Sequence, residues 1–375
     1  MPRFRRARAL QVHWQDGDLI IENFVSRVAV SAAPVTLTLL DALTDWRTAK
    51  DVASELREWS RASVKRAVGE LVAHSLVLAE GTAAAALDEK VAATWKHWRP
   101  AASFHFSTKD APFANPRQWS RMAPRFLAES PQPALVKTYP GRPAVALPAL
   151  DAVPDSEFLR VLLARKTHRE FSGQAMPLAS LGALLRYTWG AVEMLHSPNF
   201  GPLLRKTSPS GGARHPAEVY VVALKVDGLK PGLYHYNHGD HVLERLRSGP
   251  MREVVLRQAL GQQHVGNACA VCYMTACLPR SMYKYRAPRA YRTVSLETGH
   301  LAQTFCLVAT WLGLAPFTTA ALVDTDIERT LGIDGVEETI LYVAGVGMPK
   351  AIRAKSPAVA SRPRASAGRK RRSRS

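Results

Sequence analysis

The turn Ser208-Pro209-Ser210-Gly211-Gly212-Ala213-Arg214-His215-Pro216 stands directly before residues 217–226, whose alternating, β-branched pattern predicts a strand. The two glycines let backbone amides approach a flat ligand closely, and Pro209 restrains the turn. The turn lacks the GxxxxGK[ST] pattern of a nucleotide-binding loop, and it precedes a strand rather than a helix, which excludes a Rossmann fingerprint. Taken alone, the stretch fits an ordinary glycine-rich turn equally well.

A basic segment lies upstream of this turn, after a predicted helix at residues 157–165. It reads Arg165-Lys166-Thr167-His168-Arg169-Glu170-Phe171. In an extended chain Arg165, Thr167 and Arg169 project to the same side. Two guanidinium groups and a hydroxyl placed in this way suit the oxygens of a phosphate. A solvated helix end, where positive residues are favoured, is the ordinary alternative.

The surrounding pattern predicts one large domain over residues 151–350. Helical spacing occurs at 178–189, 251–265, 294–314 and 324–331, and strand patterns occur at 217–226, 232–236, 242–246, 268–276 and 339–346. Gly190 ends the first of these helices, and the strands at 232–236 and 242–246 predict a hairpin. Because helices and strands mix without a strict βαβ repeat, the pattern indicates an α+β fold.

The flanking regions differ from this domain. Residues 1–85 contain strand patterns at 9–14, 19–23 and 76–78 and helical patterns at 36–43, 48–59 and 63–75, which predict a winged-helix-like recognition domain. Residues 86–150 are rich in proline and predict a connector. Residues 351–375 predict a disordered basic tail.

Composition narrows the class of protein. The 375 residues include 50 Lys and Arg against 31 Asp and Glu, a net charge of +19. Most of this excess lies at the two ends of the chain, so it does not indicate a nucleic-acid-binding surface, and we expect no nucleic acid partner.

Four cysteines exclude a disulfide-stapled secreted scaffold. The longest uncharged run, residues 301–323, contains Gln, Thr and Pro, which favours a buried helix and strand over a membrane span. We expect a cytoplasmic protein.

The cysteines leave two interpretations open. Cys269, Cys272 and Cys277 have a spacing that could hold zinc, with Cys306 farther along the chain. The sequence around the first three predicts a strand of small residues, which favours buried thiols over ligands. We therefore expect no metal.

Together, the basic segment and the glycine-rich turn resemble the nitroreductase-type flavoproteins, and most closely the SagB-type peptide azoline dehydrogenases. Further motifs support the resemblance: Pro231-Gly232-Leu233-Tyr234-His235-Tyr236 and Lys284-Tyr285. The resemblance implies a central, mainly antiparallel sheet flanked by helices, and FMN at the interface of a homodimer. It assigns the FMN phosphate to Arg165, Thr167 and Arg169, the flavin ring to Pro209, Ser210, Gly211 and Gly212, and the catalytic base region to Lys284 and Tyr285.

The resemblance also points to a loop whose backbone amide approaches the flavin N5 atom. Members of the family often have a glycine there. The corresponding residues, Phe317-Thr318-Thr319-Ala320-Ala321-Leu322, contain none, so Ala320 and Ala321 are the candidates.

The activity implied is FMN-dependent oxidation of thiazoline or oxazoline rings to thiazole or oxazole in a ribosomally made precursor peptide. A YcaO-type cyclodehydratase would supply the substrate, and the N-terminal domain would bind the leader peptide or a partner. One alternative is a general NAD(P)H-dependent nitro or flavin reductase, although a small diffusible substrate needs no docking domain. Another is a non-enzymatic winged-helix regulator with a flavin-binding domain, which salt-dependent binding to duplex DNA would reveal.

Overall fold

The computed structural model describes residues 1–113, 116–129, 135–137, 146–147, 155–198 and 201–350. The predicted basic tail and much of the predicted proline-rich connector therefore lie outside the described residues. No described helix is long and apolar enough to cross a membrane.

The N-terminal region is a small β-rich unit with three helices. Its elements are β1 (Arg3–Arg6), β2 (Leu10–Gln15), β3 (Asp18–Asn23), β4 (Val28–Ala32), α1 (Val35–Ala42), β5 (Arg47–Thr48), α2 (Ala49–Glu55), α3 (Arg61–Ala73) and β6 (Val77–Ala79). Strands β2, β3 and β4 form one antiparallel sheet, and β1 pairs with β5 and β6 in another. Thr48 and Ser60 cap α2 and α3 with their side chains, as sequence predicts for helix starts. Ile21, Leu43, Val52 and Leu76 centre a core of this region's own.

The first part of the predicted connector is helical and well packed rather than a loose link. Helices α4 (Ala83–Thr94) and α5 (Arg99–Ser107) follow β6, and α6 (Pro116–Glu129) follows them. Trp95 and Trp98 are almost fully buried, and both lie in a cluster that includes Leu278, Val294 and Val336 of the large domain. Helices α4 and α5 therefore join the N-terminal region to the large domain, because burying the two tryptophans between them removes a large apolar surface from water.

The large domain contains the remaining elements: α7 (Glu157–Ala164), β7 (Met176–Pro177), α8 (Leu178–Trp189), β8 (Ala191–Ser197), β9 (Gly201–Lys206), β10 (Ala217–Ala223), β11 (Val226–Asp227), β12 (Gly232–Asn237), β13 (Val242–Ser248), α9 (Arg252–Gln258), α10 (Gln263–Gly266), β14 (Ala270–Cys277), α11 (Leu278–Lys284), α12 (Ala290–Trp311), β15 (Ala315–Thr319), α13 (Asp324–Leu331) and β16 (Glu338–Gly347).

Six of these strands form an antiparallel sheet in the order β13-β12-β10-β14-β16-β15. Alternate residues of β10 face opposite sides. Val219 and Val221 pack toward α8 and α12, and Tyr220 and Val222 pack toward α9, α10 and α13. The domain is thus a three-layer α+β structure, and the prediction of an antiparallel sheet between helices is confirmed.

One predicted helix is divided. Residues 251–265 form α9 and α10 instead of a single helix, because Leu260 and Gly261 adopt positive φ angles of 53° and 76°. A residue in this left-handed conformation ends a helix. The hairpin of β8 and β9 was not predicted at all.

Candidate functional site

The glycine-rich turn packs against the predicted Lys-Tyr pair. It connects β9 to β10 and contains a single 3₁₀ turn, Gly211–Ala213. Gly212 has a φ of 61°, and a Cβ atom there would overlap the Tyr285 hydroxyl and lie 2.7 Å from Lys284 Nζ. Only glycine combines this backbone conformation with so close an approach. The structure therefore brings together two segments that are about seventy residues apart in sequence.

Ser210 holds the shape of the turn. Its hydroxyl donates to the carboxylate of Glu297 on α12 and accepts the backbone N–H of His215 at 2.9 Å. Glu297 is 3% exposed. Burial raises the pKa of Glu297, and the hydrogen bond from Ser210 lowers it in part. The Ser210 side chain thus faces the protein interior, which leaves the backbone of residues 210–212 as the part available to a ligand.

A cluster of charged groups, buried except for the exposed Arg280, lies behind the turn. It joins Lys206 at the end of β9, His215 in the turn, Glu218 on β10 and Arg280 on α11, with Glu297 beside them. Arg280 binds the Glu218 carboxylate at 2.5 Å and the His215 carbonyl at 3.0 Å. Sequence reasoning missed this cluster. The local signals in the sequence are Lys206, two residues before the turn, and Glu218, two residues after it.

The cluster shifts the protonation of its members. Burial lowers the pKa of Lys206 to about 8 and the pKa of His215 to about 4, the latter helped by the charge of Lys206. Burial alone would raise the pKa of Glu218, but hydrogen bonds from His235 and Arg280 outweigh it and bring the pKa to about 2. At neutral pH the turn therefore rests on a carboxylate, a neutral imidazole and a lysine that loses its proton easily.

Lys284 and Tyr285 occupy the end of α11. Lys284 Nζ lies 5.5 Å from the centre of the Tyr285 ring, and both side chains are half-buried. The Trp98 indole N–H donates to the Tyr285 carbonyl at 2.9 Å. This bond fixes the backbone of the pair from the side of the N-terminal region.

The predicted phosphate-binding residues lie at the other end of the sheet. Residues 165–170 run beside β15, where the His168 N–H donates to the Pro316 carbonyl at 2.9 Å, and Phe171 bridges to Pro349. Arg165 is half-buried, whereas Thr167 and Arg169 are exposed. The positive charge of Arg165 partly offsets the burial that raises the pKa of Cys306 on α12 to about 11.

Ala320 and Ala321 lie in the loop between β15 and α13. The Ala321 N–H donates to the Thr319 hydroxyl at 3.3 Å, so this amide is already engaged. Ala320 is exposed. Of the two candidate amides, that of Ala320 is the better placed for a ligand.

The candidate residues approach one another along α12. The end of the turn lies near residues 276–277 and the basic segment lies near residues 347–349, at opposite ends of β16. The start of the turn reaches further along α12, because the His300 ring lies 3.4 Å from the Pro209 carbonyl and the Ser208 hydroxyl lies 2.7 Å from that of Thr304. Thr304 is two residues from Cys306, whose thiol the charge of Arg165 influences.

All four cysteines are free thiols, and Cys269, Cys272 and Cys306 are buried. In the part of the chain that the structure describes, there is no group of three or more His, Cys, Asp or Glu residues that could hold a metal ion.

This fold, with its glycine-rich turn and basic segment, defines a nitroreductase-type domain. The nitroreductase family profile matches residues 162–348, and a Methanocaldococcus jannaschii protein named as a nitroreductase is 31% identical over 184 residues, which are 48% of this chain and 88% of that protein. The chain belongs to the nitroreductase family.

Two further relatives are named for the processing of trifolitoxin and of microcin B17. The trifolitoxin-processing protein TfxB of Rhizobium leguminosarum bv. trifolii is 29% identical over 205 residues, 53% of this chain and 55% of that protein. The microcin B17-processing protein McbC of Escherichia coli is 28% identical over 148 residues, 38% of this chain and 54% of that protein. The match thus spans about half the length of these two relatives.

Proposed function

We propose that this protein is an FMN-dependent dehydrogenase that oxidises thiazoline or oxazoline rings to thiazole or oxazole in a ribosomally made precursor peptide. The observation that carries the proposal is the contact between the glycine-rich turn and Lys284-Tyr285. This contact sets a candidate base beside the backbone that would line a flat cofactor. The relatives named for toxin and microcin processing support the peptide substrate.

The residues present fit FMN. At Gly212 the space that a Cβ atom would take is occupied by the Lys284 and Tyr285 side chains, so glycine lets this pair pack directly against the backbone that would line the ring. The exposed hydroxyl of Thr167 and guanidinium of Arg169, with Arg165, form a donor set suited to a phosphate. We assign the phosphate to these three residues, the ring to residues 209–212, and a backbone amide contact to the flavin to Ala320 or Ala321.

Aromatising an azoline removes two electrons and two protons from the ring. When bound, FMN supplies the acceptor for a hydride. Lys284 takes the remaining proton, and Tyr285, whose ring lies 5.5 Å from Lys284 Nζ, orients the lysine or relays the proton. The Trp98 hydrogen bond to the Tyr285 carbonyl holds this pair against the turn.

We propose that the site lies between two copies of the chain, as in the homodimer that the family resemblance implies. A two-fold dimer can place the basic segment of one copy against the turn of the other. Large exposed apolar side chains offer a surface for this contact, among them Phe158 and Leu163 on α7, Met194 on β8 and Leu296 on α12.

The N-terminal region is the proposed docking module. The family profile begins at residue 162, so the small β-rich N-terminal region and the helices that follow it lie outside the part of the chain that matches the family. A cavity of about 860 Å³, lined by residues of α1, α4 and the β1–β2 connection, could receive a peptide segment. We propose that the precursor peptide arrives there from a YcaO-type cyclodehydratase complex.

The test is an assay of the FMN-loaded protein on a peptide that carries one thiazoline. We expect the peptide to lose two hydrogen atoms, measured by mass spectrometry. Lys284→Met should retain FMN but react at least about 100-fold more slowly, the usual contribution of a general base. Lys230→Met, which alters an exposed lysine of the same domain, is the matched control. Rapid NAD(P)H-dependent reduction of nitro compounds with no azoline oxidation would instead favour the general reductase.

A further inference from the structure

The loop of residues 320–323 is held from two sides. On the side of α9 and α10, the Gln262 amide donates to the Ala321 carbonyl at 3.1 Å, and the Val323 N–H donates to the Gln258 carbonyl at 2.9 Å. On the other side, the loop continues directly into the first residue of α13, Asp324. The position of this helix start therefore sets the position of the loop.

Helix α13 lacks a cap of its own. Its N-cap residue is Val323, which has no side-chain acceptor for the amides of the first turn. Asp110 supplies the acceptor from a distant part of the chain. Its carboxylate accepts the Thr325 N–H at 2.9 Å and the Thr325 hydroxyl at 2.9 Å, and its own N–H donates to the Asp324 carboxylate at 3.0 Å. A carboxylate at this place is also favoured by the helix dipole.

The segment that carries Asp110 is joined to the N-terminal region. Arg27, in the turn between β3 and β4, donates to the Lys109 carbonyl at 2.6 Å and to the Asp110 carboxylate at 3.1 Å. Lys109, which precedes Asp110, forms a buried ion pair at 2.5 Å with Glu328, about one helical turn after Thr325 on α13. The N-terminal region thus contacts the helix start through an unbroken series of bonds.

The protonation of Asp110 agrees with this arrangement. Burial raises the pKa of Asp110, but hydrogen bonds from Thr325 and Arg27 outweigh burial and leave the pKa below its ordinary value. The cap is therefore charged at neutral pH. Asp110 also has a positive φ of 52°, a conformation that aspartate tolerates better than most residues.

We propose that Asp110 is a positioning residue for the loop of residues 320–323 and that, through Arg27, it couples the placement of the N-terminal region to that loop. The inference rests on the proposed function, in which the loop backbone faces the flavin. A docked peptide that moves the N-terminal region would then alter the environment of the cofactor without contacting it.

The first test is amide hydrogen exchange on the full-length protein without FMN. Asp110→Ala should speed exchange of residues 320–325 roughly tenfold, the usual effect of losing a helix cap on local opening. Arg27→Ala should speed it by about threefold, since the pair is partly exposed. Asp110→Asn keeps an acceptor for the Thr325 N–H and should restore most of the protection.

The control is Lys90→Ala. It breaks another ion pair between the two parts of the chain, Lys90 with Asp334 at 2.6 Å, which lies beyond the far end of α13. We expect no change at residues 320–325. The inference is overturned if Asp110→Ala leaves this exchange unchanged or if Lys90→Ala speeds it equally.

The second test measures the reduction potential of the FMN-loaded protein. We expect a shift in Asp110→Ala and a smaller shift in Arg27→Ala, and none in Lys90→Ala. Equal potentials in all variants would overturn the proposed link to the flavin. If the wild type binds no FMN, the proposed function fails, whereas the exchange measurement still decides the role of Asp110.

Discussion

At the scale of single residues, Gly212 constrains the candidate site most tightly. Gly212→Ala would add strain at a φ of 61° and would push a methyl group into Tyr285 and Lys284. We expect FMN affinity to fall at least about tenfold, because the turn must move away from the pair to relieve the collision. A titration of the protein with FMN, followed by flavin fluorescence, measures the effect.

Gly313→Ala is the matched control for this substitution. Gly313 has a φ of 70°, but a Cβ atom there would meet no other atom within 4 Å. The variant therefore carries the same kind of strain without the collision, and we expect it to bind FMN as the wild type does. If both variants lose affinity equally, strain alone accounts for the loss and the contact with Lys284 and Tyr285 is unimportant.

Some residues around the site could be predicted from sequence, and others could not. The turn and the basic segment are contiguous motifs, so local spacing and resemblance suffice to propose them. The Ser210–Glu297 bond joins residues 87 positions apart, and nothing in the local pattern marks Glu297. The same holds for Asp110, whose partner Thr325 lies 215 positions away. Such pairings depend on tertiary structure, which spacing rules do not describe.

At the scale of elements, α5 joins the N-terminal region to the large domain through His105. The ring nitrogens lie 2.9 Å from the Tyr291 hydroxyl and 3.4 Å from the Gly335 carbonyl. Burial, followed by the charge of Lys109, lowers the pKa of His105 to about 3. The folded protein thus keeps this imidazole neutral while the unfolded chain takes up a proton below its ordinary pKa of 6.5.

Because the pKa of His105 is lower in the folded protein than in the unfolded chain, we expect the protein to lose stability in acid. The contribution of His105 to the free energy of unfolding is fully present above pH 6.5. It declines as the pH falls from 6.5 toward 3, by up to about 1.4 kcal/mol for each pH unit. His105→Gln cannot titrate, so urea unfolding should show a weaker dependence on pH than in the wild type, between about pH 6.5 and pH 5. His13→Gln, at an exposed position on β2, is the control. Equal pH dependence in wild type and His105→Gln would contradict the assignment.

Elements with a clear local signal could be predicted. Alternation predicts β10, the turn at residues 237–240 predicts the hairpin of β12 and β13, and the helix predicted at 324–331 matches α13 at both ends. The sequence pattern does not reveal helices α4 and α5 as packed elements, because their buried residues contact parts of the protein that are distant in sequence. The Trp95 indole N–H, for example, donates to Val336, 241 residues away. The β8–β9 hairpin was missed because its apolar residues, such as Met194, are exposed and give no one-sided pattern.

At the scale of the whole molecule, the proposed site predicts complementation between two inactive variants. Arg165→Ala/Arg169→Ala removes the phosphate end, and Gly212→Val removes the turn. If each FMN lies between the phosphate end of one copy and the turn of the other, mixed dimers contain one intact site. After unfolding and refolding the two together, about a quarter of the sites should bind FMN, whereas neither variant alone should bind it.

A mixture that binds no FMN, while each variant remains folded and dimeric, would place the complete site within one chain and contradict the two-copy arrangement. The folded state of each variant can be checked by circular dichroism, and its size by light scattering. Wild type refolded in the same way is the control for recovery.

The most direct measurement is the visible absorption spectrum of the purified wild type, compared with that of the Arg165→Ala/Arg169→Ala variant. The account predicts a yellow wild type that releases FMN on denaturation and a folded, colourless variant. A wild type that is colourless and cannot be reconstituted with FMN would contradict the central claim that this domain is an FMN-dependent dehydrogenase.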